Sequence, residues 1–193
     1  MGQFTQLVDS QINLRETAGE GARMVAWLQA RGIIGSSRRR GDVWKEQFGS
    51  APSEGANAIF YPPGPNFHEA HEESYSDDKL NGDWCEVITE RRVYPPGGSF
   101  EILCPCCGKD QVKLGDAWSE VIDAWYHGWP KNLVCVACGH EAPLTDQTGW
   151  CFEDPWGFGN LCFSFESWSL RPKFIKAFEA ELGRPVSVVN LWL

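Results

Sequence analysis

Two short cysteine turns are the part of this sequence with the most definite chemistry. Cys104 and Cys107 stand in CPCCG, residues 104–108, and Cys135 and Cys138 stand in CVACG, residues 135–139. In a Cys-x-x-Cys-Gly turn the backbone amides point at sulfur and two thiolates are presented side by side. Two such turns complete a tetrahedron around one metal ion. Four thiolates fill that coordination sphere and leave no position for water or substrate, so the expected role is in folding and not in catalysis. The same spacing also suits an iron–sulfur centre or a redox pair of cysteines. Cys106 adjoins a ligand, but pairing Cys104 with Cys107 keeps both the knuckle spacing and the glycine that follows, which leaves Cys106 outside the set.

This pattern resembles the zinc-ribbon family, whose knuckles read CPxCG and CxxCG, over about residues 100–145. The resemblance implies a structural Zn2+ held by Cys104, Cys107, Cys135 and Cys138. Between the knuckles, residues 108–134 exceed a minimal ribbon loop and carry a tryptophan-rich helix pattern. The layout of tryptophans, paired cysteines and a Phe-rich helix before a valine strand also resembles small bacterial proteins, a likeness that names no activity.

The other chemistry-bearing residues form weaker patterns. His68, His71 and Glu72 stand in HEAHE, which is not HExxH because the histidines are three positions apart, and no helix pattern surrounds them. His127 lies between Trp125 and Trp129 and is expected to pack or cap, and His140 to donate to a sulfur or face water. Cys85, Cys151 and Cys162 sit in apolar, strand-like surroundings and read as buried small hydrophobes. No nucleophile elbow, P-loop or dinucleotide fingerprint occurs, and GFG at residues 157–159 is too short for a phosphate loop.

Charge narrows the partners. Twenty-six acidic against seventeen basic residues give a formal net charge of -9, so the average surface repels phosphate backbones and anionic lipid and favours a basic partner. Arg31, Arg38, Arg39, Arg40 and Lys45 make a positive stretch. An acidic one follows, with Glu69, Glu72, Glu73, Asp77, Asp78, Asp83, Glu86 and Glu90. With ten Trp and eleven Phe the chain has rings for both a core and interface anchors. No apolar run nears the ~18 residues that span a bilayer and no signal-peptide pattern leads the chain, so a reducing, cytoplasmic setting is expected.

These residues need elements to position them. Thr17 and Glu20 form a capping-box pattern that predicts a helix over residues 17–31, stopped by Gly32, after a short strand over residues 4–8. GSSRRRGD, residues 35–42, reads as a loop, and residues 50–83 stay irregular around PPGP. Alternation over residues 84–94 predicts a strand closed by PPGG, with another strand over residues 100–103. Asp116 would cap a helix bearing Trp118, Val121, Ile122 and Trp125, stopped by Gly128 and Pro130. Residues 150–152 and 161–165 read as strand fragments around the turn-rich EDPWGFGN. Pro172 fits the first turn of a helix running to Leu182 and closed by Gly183, before a last strand over residues 186–192.

Setting the cysteine segment aside, the order is β-α-β-β-α-β. The expected fold is therefore α+β, a split βαβ (ferredoxin-like) sandwich formed by residues 1–99 and 146–193, with a zinc-ribbon insertion at residues 100–145. The expected function is a non-enzymatic protein-binding module of inhibitor or immunity type, engaging a basic protein. The alternatives are a nucleic-acid-associated zinc-ribbon protein and a hydrolase whose site is assembled from distant residues.

Overall fold

The computed structural model describes residues 3–49, 59–72, 84–97, 101–129, 131–145 and 149–192. In chain order its elements are β1 (Gln3–Asp9), α1 (Thr17–Ala30), β2 (Arg38–Arg39), α2 (Arg40–Phe48) and β3 (Ile59–Tyr61). A 3-10 turn, Phe67–Glu69, leads to β4 (Cys85–Ile88), β5 (Arg92–Tyr94) and β6 (Ile102–Leu103). Then come α3 (Gln111–Leu114), α4 (Ala117–Tyr126), β7 (Asn132–Val134), β8 (Glu141–Pro143) and β9 (Cys151–Phe152). β10 (Gly157–Gly159), β11 (Leu161–Glu166), α5 (Pro172–Leu182) and β12 (Ser187–Trp192) finish the chain.

The protein is mixed α+β, built on one six-stranded antiparallel sheet in the order β12-β1-β11-β4-β3-β2. In β1, Leu7 sits opposite Phe163 on one side and Val188 on the other. Because strand side chains alternate between faces, this register puts Leu7, Phe163 and Phe165 on one face. There they meet Met24, Val25 and Leu28 of α1 and Phe174, Phe178 and Leu182 of α5 in a single buried cluster. Each large apolar side chain so buried contributes roughly 1.5–3 kcal/mol before packing terms. α5 starts as its sequence predicts, with Pro172 in the first turn, and stops at Gly183, whose φ of 79° suits glycine.

The opposite face is covered differently. Val8, Cys162, Val189 and Tyr94 form a small buried cluster there, roofed by the two-stranded ribbon β10-β5. The ribbon lies so close to β1 that a Cβ at Gly157 would come within 2.7 Å of Val8 Cγ2, and one at Gly159 within 2.5 Å of Val8 Cγ1. GFG is therefore a close-packing strand, where the sequence reads as a turn. At the sheet edge, Gly97 N–H donates to the Asn190 carbonyl at 3.1 Å. Gly97 also lies directly against the Trp192 backbone, where a Cβ would sit 2.1 Å from the Trp192 nitrogen.

Several local expectations are revised. Of the expected loop over residues 35–42, residues 38–42 instead belong to β2 and to the start of α2, whose Val43 is buried. The strand over residues 84–94 is two strands, β4 pairing with β11 and β3 while β5 leaves the sheet to pair with β10. The capping box at α1 does not form; Thr17 is the first helical residue, and its hydroxyl donates to the Leu14 and Thr89 carbonyls at 2.9 and 3.2 Å. Asp116 precedes α4 without a side-chain cap bond. Cys85 and Cys162 are fully buried as expected, but Cys151 is exposed, on a strand of two residues. Phe100, Pro130 and the acidic positions Glu73, Asp77, Asp78 and Asp83 lie outside the described residues.

Candidate metal centre

The two cysteine turns meet. Cys104, Cys107, Cys135 and Cys138 place their sulfurs within 4.8 Å of one another, and among the described residues they are the one such group of metal-ligating side chains. Cys104 Sγ is 3.5 Å from Cys138 Sγ, and Cys107 Sγ is 3.6 Å from Cys135 Sγ. A tetrahedral ion with metal–sulfur bonds of about 2.3 Å sets its sulfurs about 3.8 Å apart, so the donor set and its spacing fit such an ion. Each turn is closed by a glycine with positive φ, 68° at Gly108 and 77° at Gly139. The turns are alike in their backbone bonds: Gly108 N–H donates to Cys104 O and Gly139 N–H to Cys135 O, both at 2.8 Å.

The strand pairs that carry the turns are short. Cys104 follows β6, which pairs with β9, and Cys135 follows β7, which pairs with β8. Asp110 anchors the first turn by accepting from the backbone N–H groups of Val112 and Ile102 at 3.0 and 3.3 Å. Gln111, 4% exposed, reaches the other turn: its Nε2 donates to the Lys109 carbonyl at 2.8 Å and to Cys135 Sγ at 3.4 Å. Its amide supplies hydrogen bonding from outside the four sulfurs, of the kind that orients metal ligands.

Four thiols this close do not ionise alike. Burial disfavours the Cys135 thiolate, but the N–H groups of Ala137 and Cys138 aimed at its sulfur, with neighbouring thiols, hold it down at about 6. For Cys138 the His140 N–H acts to lower the value, yet burial and the sulfurs of Cys104, Cys135 and Cys107 push it up to about 12. Without a cation the group retains protons; a divalent ion would remove that conflict.

Cys106 is exposed and outside the cluster, with Sγ 3.6 Å from His140 Nδ1. His140 Nε2 lies 2.9 Å from the Gly149 carbonyl. A neutral imidazole that donates from Nε2 would leave Nδ1 as an acceptor for the Cys106 thiol. His140 therefore meets a sulfur that is not one of the four.

Around the cysteines lies a separate core. Ile102, Cys104, Val121, Leu133, Cys135, Ala142 and Leu144 pack with Val93, Trp150, Trp156 and Phe158, drawing residues from both sides of the cysteine segment. Trp150 Nε1 donates to the Ala142 carbonyl at 3.2 Å. The Tyr126 hydroxyl accepts from Val93 N–H at 3.1 Å, and the Arg91 guanidinium lies 4.6 Å over the Trp125 ring, so α4 is held to β5 and its approach. At the edge of this core a slot of about 170 Å³ is lined by Val121, Trp125, Leu144 and Phe158 and by the exposed Trp129 and Lys131. Trp129 is 63% exposed and stacks on His127 at 4.8 Å. It also borders a second cavity, lined by Glu120 and Asp123.

The remaining sequence candidates are not gathered at this site. Arg38, Arg39 and Lys45 line an open cavity with Asp42 and Glu46, and Arg38 is tied to Glu46 at 2.6 Å. No described residue lining it is aromatic. His71 is buried, accepts from Ser169 N–H through Nδ1 at 3.1 Å and stacks on Phe67, while His68 is exposed. The two histidines thus occupy different settings.

No helix among the described residues is long and apolar enough to cross a membrane. Comparison with models of known families, with curated proteins and with solved structures finds no match.

Proposed function

We propose that this protein is a non-enzymatic protein-binding module whose aromatic face, kept in shape by a structural Zn2+, engages a basic protein as an inhibitor or immunity-type partner. The carrying observation is Trp129, 63% exposed beside a slot with a largely apolar wall, and bordering a second cavity lined by Glu120, which is paired with Lys131 at 2.7 Å, and by Asp123. A large apolar side chain would enter the slot while a neighbouring cation meets the carboxylates. The protein's net charge of -9 would steer the approach.

The metal reading rests on the donor set: four cysteine sulfurs favour Zn2+ over a hard ion, and with all four bound no position remains for a substrate. Cys104, Cys107, Cys135 and Cys138 would hold it in a module similar to a zinc ribbon, in a cytoplasmic, reducing setting. The strand order β12-β1-β11-β4, with α1 and α5 against one face, supports reading the larger part as a split βαβ, ferredoxin-like core extended at one edge by β3 and β2.

The test is capture from lysate with immobilised wild-type protein and Trp129→Ala in parallel. A basic protein should be recovered at near-equal stoichiometry by the wild type, and Trp129→Ala should weaken its affinity by about 2 kcal/mol or more. Recovery of nucleic acid with steep salt dependence and no protein, or substrate turnover by the purified chain, would refute the reading.

A further inference from the structure

A second concave surface lies on the helical side, built from three separated segments. A cavity of about 490 Å³ is bordered by Arg31 just past α1, His68 and Glu69 of the 3-10 turn, and Arg171, Lys173 and Phe174 at the start of α5. Among the described residues, two arginines, a lysine and an imidazole thus line it together with one carboxylate, on a protein whose net charge is -9.

Its walls are set in advance. Arg31 lies 4.9 Å over the Trp27 ring and pairs with Glu69 at 2.9 Å, which fixes the guanidinium without neutralising the groove. Arg171 Nε donates to the His71 carbonyl at 2.7 Å, and Arg171 N–H donates to the Ala70 carbonyl at 2.8 Å. His71 in turn is buried and held by Ser169. The residues 66–72 are thereby stapled to α1 on one side and to α5 on the other, with Asn66 Nδ2 donating to the Arg31 carbonyl at 2.9 Å. Lys173 is exposed and has no ion-pair partner among the described residues. The amino end of α5, eleven residues long, adds partial positive charge to the same wall.

We propose that this groove is an anion site that takes a phosphate group. Guanidinium groups offer planar paired donors to phosphate oxygens, and Lys173 supplies a mobile point charge at the rim. Cations whose positions are fixed before binding spend little ordering entropy on the ligand, which separates a site from a diffuse basic patch. The site is remote from the cysteine turns in sequence and uses none of their residues, so it stands or falls independently of the protein-binding reading.

The experiment is titration of the full chain with inorganic phosphate, pyrophosphate and glycerol phosphate at low ionic strength, followed by calorimetry and by amide NMR shifts. Saturable binding of at least one probe is expected, with shifts concentrated at Arg31, His68, Arg171 and Lys173. Preference for glycerol phosphate over inorganic phosphate would point to a phosphomonoester as the ligand, and the reverse to the free anion. Lys173→Glu should weaken binding at least about tenfold, while Lys176→Glu, exposed one turn further along α5, should change it little. Absence of saturable binding up to millimolar probe would overturn the proposal. So would equal weakening by Lys173→Glu and Lys176→Glu, which would mark general charge attraction.

Discussion

The two cores of this protein are held by different means. The sheet core has strands of six and seven residues, β11, β12 and β1, and two helices that drive rings into it: Phe163, Phe165, Phe174 and Phe178 meet with almost no exposure. In the cysteine module, β6 and β9 have two residues each, β7 and β8 three, and α3 four. Apart from the ten-residue α4, elements that short bury little apolar area against the entropy of ordering them. Length and patterning thus serve one side, whereas on the other the proposed metal at the four sulfurs would add the constraint that short elements lack.

The sharpest way to break that comparison is to take the constraint away. Chelation, or Cys135→Ser, should remove on the order of ten kcal/mol of metal-coupled stability from the module. Hydrogen exchange should then rise through β7, β8 and α4 while β1 and β11 stay protected. A single loss of protection everywhere would show that the two cores are one cooperative unit. Next in size, Phe178→Ala should cost about 3–5 kcal/mol in denaturant unfolding and leave metal affinity unchanged. A fall in metal affinity in that variant would also join the two cores.

The smallest expected effect is electrostatic and belongs to the sheet side. Burial, with a contribution from Arg171, lowers the pKa of His71 from its ordinary value. A histidine lowered on folding contributes stability that is complete above the unfolded value near 6.5 and is lost as pH falls through that value towards the folded one. His71→Asn should therefore flatten the stability profile just below pH 6.5, read as the urea midpoint against pH. An unchanged slope would assign that loss to other groups.

The same contrast explains what could be read in advance. Cysteine ligands announce themselves because two of them share one turn, so the spacing of Cys104 with Cys107 and of Cys135 with Cys138 is local information. Gln111 does not, since its bond to Cys135 exists only once the two turns face each other. α5 was legible from Pro172, Gly183 and the spacing of Phe174, Phe178 and Leu182. α2 was not, because RRRGD has poor helical pattern, and among its described side chains Val43 is the buried apolar one. The break between β4 and β5 was hidden for a related reason: alternation runs on past Ile88, and what ends the strand is the departure of Tyr94 to pack over Cys162 and Val8. The cationic groove draws Arg31, His68 and Arg171 from segments far apart, so no window of sequence contains it.

The contact at Gly97 has a consequence for how the molecule behaves at high concentration. β12 closes one side of the sheet, and a strand in that position can recruit a strand from another chain. Here the outward carbonyl of Asn190 is taken by Gly97, and the backbone of residue 97 lies flat against Trp192 because no side chain intervenes. A single hydrogen atom in place of a methyl group is thus what lets residue 97 cover this stretch of the border, taking one acceptor that an incoming strand would otherwise use.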